Sequence, residues 1–140
     1  MEIKVKKLHL DATLPTYAHA SDAGMDFYAL YDAVIPPQQR VVMPTGIAME
    51  LPTGTVLLIW DKSGLAANAG ITTLGGVVDA EYRGEIKVTL YNTTPVPYTV
   101  KAGHKIAQGL LQLVSSATLV EVDILTNSAR GTGGFGSTGQ

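Results

Sequence analysis

A chain of 140 residues with 10 basic and 12 acidic side chains and a net charge of −2 is long enough for one domain burying roughly two thirds of its unfolded surface, and it lacks the positive field that holds a protein on nucleic acid. Cysteine is absent, which excludes disulfides, zinc-thiolate sites and thiol nucleophiles together. No apolar stretch approaches the roughly 18 residues of a membrane span, and the opening MEIKVKKLHL has neither the apolar core nor the cleavage signal of a secretory peptide, so the expectation is a soluble, cytoplasmic protein with neither membrane nor nucleic acid as partner.

In chain order, alternation of apolar and polar side chains dominates over helical spacing. Residues 3–10 read as a first strand, whose Lys4, Lys6 and Lys7 make a solvated face without the interleaved aromatics of a nucleic-acid platform. Pro36-Pro37 and Pro52-Thr53-Gly54 punctuate the next stretch of chain, and residues 55–60 read as strand. A short helix is predicted next, with Ser63 as N-cap and Leu65, Ala66 and Ala67 in its body until Gly70. Val77 and Val78 read as strand, Asp79 interrupts them, and residues 85–90 alternate strictly as a returning strand, which puts Asp79 and Tyr82 near the tip of a hairpin. Residues 98–100, 106–114 and 118–125 complete the predicted strands. Many short strands around one helix imply an all-β sandwich or barrel.

Residues 130–140, RGTGGFGSTGQ, hold five glycines and no aliphatic side chain, which predicts a tail beyond a core domain of residues 1–129. Ordering glycine costs more backbone entropy than ordering any other residue. Yet Phe135 supplies a stacking ring there, Arg130 a phosphate fork, and Ser137 and Thr138 hydroxyl donors, a set suited to clamping a nucleotide.

Five separated segments carry a more specific signal: Asp22-Ala23-Gly24-Met25-Asp26-Phe27-Tyr28-Ala29, Lys62-Ser63-Gly64-Leu65-Ala66, Gly76-Val77-Val78-Asp79-Ala80-Glu81-Tyr82-Arg83-Gly84-Glu85-Ile86, Gly103-His104-Lys105-Ile106-Ala107-Gln108, and Arg130-Gly131-Thr132-Gly133-Gly134-Phe135-Gly136-Ser137-Thr138-Gly139. In this order and spacing they resemble the five motifs of the trimeric dUTP pyrophosphatase family. Single glycine-rich strings recur by chance; five in order do not.

The resemblance implies a jelly-roll-like β-clip fold and hydrolysis of dUTP to dUMP and pyrophosphate, which keeps uracil out of DNA and supplies dUMP for dTTP synthesis. It implies that backbone groups near Gly76 read the uracil edge, that Tyr82 packs under the deoxyribose and excludes a 2′-hydroxyl, and that Asp79 activates water for in-line attack on the α-phosphorus. A positioned carboxylate suffices for that step, because phosphoryl transfer depends mainly on geometry and charge neutralisation. By the same resemblance Lys62, Ser63, Gly64 and Gln108 meet the phosphates, and Arg130, Phe135, Gly136, Ser137 and Thr138 close the site from a tail that crosses between subunits of a homotrimer.

About four negative charges on the substrate must be offset. His9, His19 and His104 are isolated and no cysteine is present, so no side-chain cage for a metal is expected. Mg²⁺ held mainly by phosphates and water fits instead, with Asp26 acting through that water. The chain departs from the family pattern by carrying Lys62 and Lys105 where Arg is usual, and lysine cannot make the bidentate fork of a guanidinium. Arg83 and Glu85 are expected to make structural or interface contacts. The dCTP deaminases, which share the fold, are the nearest alternative, and a non-catalytic module of the same fold is another.

Overall fold

The structure, a computed structural model, describes residues 1–134. Eleven strands and one helix occur among these residues: β1 (Lys4–Lys7), β2 (Met25–Tyr28), β3 (Ala33–Ile35), β4 (Arg40–Pro44), β5 (Ile47–Glu50), β6 (Thr55–Trp60), α1 (Ser63–Ala69), β7 (Ile71–Leu74), β8 (Val77–Asp79), β9 (Lys87–Asn92), β10 (Tyr98–Val100) and β11 (Lys105–Leu113). Strands pair antiparallel in a four-stranded sheet β2-β11-β6-β8, a three-stranded sheet β4-β9-β7, and the two-stranded pairs β1-β5 and β10-β3. The all-β expectation with one short helix holds.

The core lies between the sheets because alternate residues of each strand point inward. Phe27, Leu57, Ile71, Val88, Leu90 and Ile106 are buried there. Gly109 of β11 sits under the Phe27 ring and Leu57, where a Cβ would overlap both, so a small residue sets the close approach of β2, β11 and β6. The opposite face of the four-stranded sheet is far less covered. Trp60 is 56% exposed and Val77 70%.

Several predicted elements are corrected. The first strand is confined to Lys4–Lys7; the Leu8 amide still donates to the Gly46 carbonyl, and a turn closes at Ala12. The 85–90 strand begins two residues later, at Lys87. Residues 118–125 form no strand, and Leu119, Ile124 and Leu125 are more than four-fifths exposed; alternation makes a strand only where a neighbouring edge accepts its hydrogen bonds, and this segment has none within the described chain. The predicted hairpin is also absent. β8 pairs with β6, whereas β9 pairs with β4 and β7, so the residues after Asp79 carry the chain from one sheet to the other. Strands β2, β3, β4, β5 and β7, of three to five residues each, went unpredicted.

Helix α1 starts one residue earlier than predicted. Lys62 is the N-cap, with an extended backbone and no side-chain capping bond, and Ser63 is the first helical residue. The helix ends where predicted, at Gly70, whose φ of 62° is left-handed and whose amide donates to the Ala66 carbonyl.

Candidate active site

The site residues fall into two groups. The first is built across three strands, because Asp26 on β2 lies opposite Gln108 on β11 and Gln108 lies opposite Trp60 on β6. Those three residues share one face of the sheet. Asp26 is held from its other side as well, exchanging backbone hydrogen bonds with Thr16 at 2.7 and 3.3 Å.

Asp26 is 3% exposed, a position that an unpaired carboxylate could not occupy without heavy cost. Lys62 Nζ donates to Asp26 Oδ1 at 2.5 Å, and Lys105 Nζ stands 2.7 Å from Oδ2. The second contact is an ion pair at similar range, and it is the one partner of the buried Oδ2 among the described residues. Burial opposes charge on Asp26, and the two ammonium groups outweigh it, holding the carboxyl below the usual carboxylate range. Asp26 in turn raises the pKa of Lys105. Both lysines that replace an expected arginine thus converge on one carboxylate.

Gln108 Nε2 donates to the Asp61 carbonyl at 2.9 Å. Its Oε1 packs against Gly24, where a Cβ would approach to 2.6 Å. Gln108 therefore ties the loop before β2 to the end of β6. Ser63 and Gly64, exposed at the start of α1, come directly after Lys62.

The second group surrounds β8. Gly76 has a φ of 107°, and a Cβ there would lie 2.6 Å from the Ile59 carbonyl oxygen. The Ile59 amide also donates to the Gly76 carbonyl at 2.8 Å. Only glycine fits both the conformation and the approach. Asp79 is exposed at the end of β8, and the Tyr82 amide donates to its carbonyl at 3.1 Å, closing a turn. Tyr82 Oη donates to the Glu85 carbonyl at 3.0 Å, and its ring lies over Gly84, where a Cβ would collide with it. Arg83 donates to the Ala80 and Tyr82 carbonyls, and Glu85 accepts from the Gly46 amide, which are structural contacts as expected. Gly76, Val78, Asp79, Tyr82 and Glu85 border a cavity of about 260 Å³.

The two groups are apart. Three strand spacings and four residues of register separate Asp26 from Asp79, roughly 19 Å across a flat sheet. None of Asp26, Lys62 or Gln108 lines the cavity at Asp79. Arg130 belongs to neither group's hydrogen-bonding: its Nε donates to the Gly133 carbonyl within its own exposed turn. Phe135, Gly136, Ser137 and Thr138 lie outside the described residues.

The residue that sequence reasoning missed is Asp61. Its carboxylate accepts from Thr72 Oγ1 at 2.8 Å and from the Thr73 amide and Oγ1 at 2.6 and 2.7 Å. Burial works against its charge, but these three donors hold its pKa below the usual range. The available signal was an acid at the end of a strand and just before the Lys62-Ser63-Gly64 motif, with two threonines on the next strand.

A dUTPase family model matches residues 11–139. The deoxyuridine 5'-triphosphate nucleotidohydrolase of Thermobifida fusca is 49% identical over 142 residues, covering 99% of this chain and 79% of that protein. The chain belongs to the dUTPase family. Among solved dUTPases, that of Staphylococcus bacteriophage 80alpha with dUPNHPP superposes with a TM-score of 0.95 at 26% identity, over 99% of both chains. A mutant dUTPase from phage phi11 of S. aureus, whose structure reveals the coordination of a structural Mg(II) ion, is similar in fold, with a TM-score of 0.83 at 23% identity over 89% of this chain and 98% of that one. The dUTPase β-clip, jelly-roll-like architecture is therefore the fold of this chain.

Proposed function

We propose that this chain hydrolyses dUTP to dUMP and pyrophosphate, limiting uracil in DNA and supplying dUMP, in the cytoplasm. The observation that carries the reading is the exposed Asp79 carboxylate beside a cavity walled by Gly76 and Tyr82, in a member of the dUTPase family. Asp79 takes a proton from water and aims it at the α-phosphorus. A bond forms between the water oxygen and that phosphorus, the bond to the oxygen bridging the β-phosphate breaks, and pyrophosphate leaves in line. The Gly76 backbone reads uracil, and the Tyr82 ring, braced through Glu85 and Gly84, fills the space a 2′-hydroxyl needs.

Lys62, Ser63, Gly64 and Gln108 face the triphosphate in this reading, with Lys105 beside them. Among the described residues no three His, Cys, Asp or Glu side chains cluster, so a divalent cation would take most of its ligands from phosphate and water. Asp26 is held here by Lys62 and Lys105, and it would meet a metal-bound water once those ammonium groups turned to the phosphates. Mg²⁺, when bound, supplies positive charge across the phosphate oxygens.

The separation of the two groups supports a site shared between copies, and a homotrimer closes such a set with every group used once. Both groups lie on the sheet face that exposes Trp60 and Val77, a face suited to cover by another copy. Residues 130–140 form the closing tail in the same reading, with Arg130, Ser137 and Thr138 on phosphate, Phe135 over uracil and Gly136 allowing close approach.

The deciding assay tracks pyrophosphate and nucleoside monophosphate release from dUTP, dCTP, dTTP and UTP, with Mg²⁺ or with EDTA, alongside deamination of dCTP. Metal-dependent release from dUTP alone is the expected result. Deamination would move the chain to the sister activity, and binding without turnover would make it a regulatory module.

A further inference from the structure

Asp61 occupies the junction between β6 and α1, immediately before Lys62. We propose that Asp61 is a positioning residue for the phosphate end of the site, acting through Lys62 and Gln108 rather than touching substrate. That role rests on the dUTP-hydrolysing function proposed for the site and deepens it.

Three donors from β7 converge on the Asp61 carboxylate within 2.6 to 2.8 Å. Two come from one residue, Thr73, whose amide and hydroxyl both reach Oδ1, while the Thr72 hydroxyl takes Oδ2. Such a set leaves the carboxylate a single pose, since charge-assisted bonds are short and directional. The backbone of Asp61 is then pinned to β7, with consequences for two side chains.

The first is Lys62. α1 has no side-chain cap of its own, so the start of the helix must be fixed from outside it, and Asp61 supplies that anchor one residue upstream. The Lys62 carbonyl accepts the first helical bond from Ala66 at 2.9 Å, while its ammonium group reaches Asp26. Losing the anchor frees the peptide from which that lysine projects. The second is Gln108, whose amide nitrogen is held by the Asp61 carbonyl. That bond leaves the Gln108 amide oxygen facing Gly24 and sets the orientation of a side chain with two chemically different ends. One residue thereby sets two phosphate-facing groups from two different elements.

A bland alternative is a strap that merely holds β6 to β7. Kinetics separate the two, because a misplacement of about 1 Å can cost on the order of 100-fold in rate without unfolding anything. Asp61→Ala, Asp61→Asn and Thr73→Val are compared with wild type by kcat and KM for dUTP well below every melting midpoint, and by calorimetric affinity for the non-hydrolysable analogue dUPNHPP. Asp61→Ala is expected to lower kcat/KM by about 10- to 100-fold, and Thr73→Val by less. Asp61→Asn should recover to within about threefold, since its amide oxygen can still accept from Thr73. In a Lys62→Ala background Asp61→Ala should add far less than it does alone, the mark of one residue acting through another.

A lowered melting midpoint with unchanged kcat/KM and analogue affinity would overturn the proposal in favour of the strap, as would full additivity with Lys62→Ala. Wild type that binds the analogue without turning over dUTP would sink the hydrolase reading while the affinities of the variants still decide the role of Asp61. Wild type that neither binds nor hydrolyses would overturn both.

Discussion

Asp26 and Asp79 are two carboxylates given opposite settings by their surroundings. Asp79 is exposed at a strand end, as its proposed handling of a proton and water requires; Asp26 is buried and shared by two lysines. Asp79→Asn is expected to cut turnover by about 10²- to 10⁴-fold while binding of dUPNHPP persists, and near-normal kcat would remove it from the mechanism. For Asp26 the prediction concerns stability. Its folded pKa is depressed below the ordinary 3.8, so its ion pairs stabilise the fold above that value and are lost as pH falls through the folded pKa. Asp26→Asn should cost about 1–2 kcal/mol at neutral pH through the Lys62 pair, which water partly screens. The gap between the melting midpoints of wild type and variant should close below pH 3.8; a gap that stays constant into acid would show that the pairs contribute nothing. The pairing itself was illegible in the sequence, where Asp26, Lys62 and Lys105 are far apart and only their types could be read.

At the scale of elements, local pattern sufficed for the long strands β6 and β11, and for the short β10 between Pro97 and Gly103. β6 and β10 occur at the residues predicted, and β11 differs by one residue at each end. It failed where pairing decides. The 118–125 segment alternates as well as any strand yet lacks an edge to join, and β8 and β9 are consecutive in the chain but belong to different sheets. The turn entering β8 shows how tight these crossings are. Gly76→Ala would place a methyl against the Ile59 carbonyl in a left-handed backbone, and is expected to cost about 1–3 kcal/mol, read by urea unfolding. A neutral result would mean that the turn relaxes freely. If it does not relax, uracil recognition should suffer beyond the stability loss, because the same backbone forms the proposed base pocket.

For the whole molecule, the placement of the two groups roughly 19 Å apart across one sheet makes a specific demand. If each site joins the Asp26 group of one copy to the Asp79 group of another, then chains carrying Lys62→Ala and chains carrying Asp79→Asn, each strongly impaired alone, should gain activity when unfolded together and refolded. Random assembly at equal amounts leaves about one site in four with both groups intact. Mixtures no more active than their parents would confine the site to a single chain. Truncation before Arg130 is expected to leave the melting midpoint unchanged while turnover collapses, and unchanged kinetics would take the tail out of the reaction.

By itself the sequence determined the all-β class, the ends of the helix to within a residue, and the five motifs that mark a dUTPase, because each is written in neighbouring residues whose spacing survives without any fold. Only the tertiary structure decided that Lys62 and Lys105 meet at Asp26, that the Asp61 carboxylate is bonded to Thr72 and Thr73 of β7, and that the motifs divide into two separated groups. Those facts depend on strand order and register, which arise from contacts between distant segments and from which polar groups can be satisfied once buried.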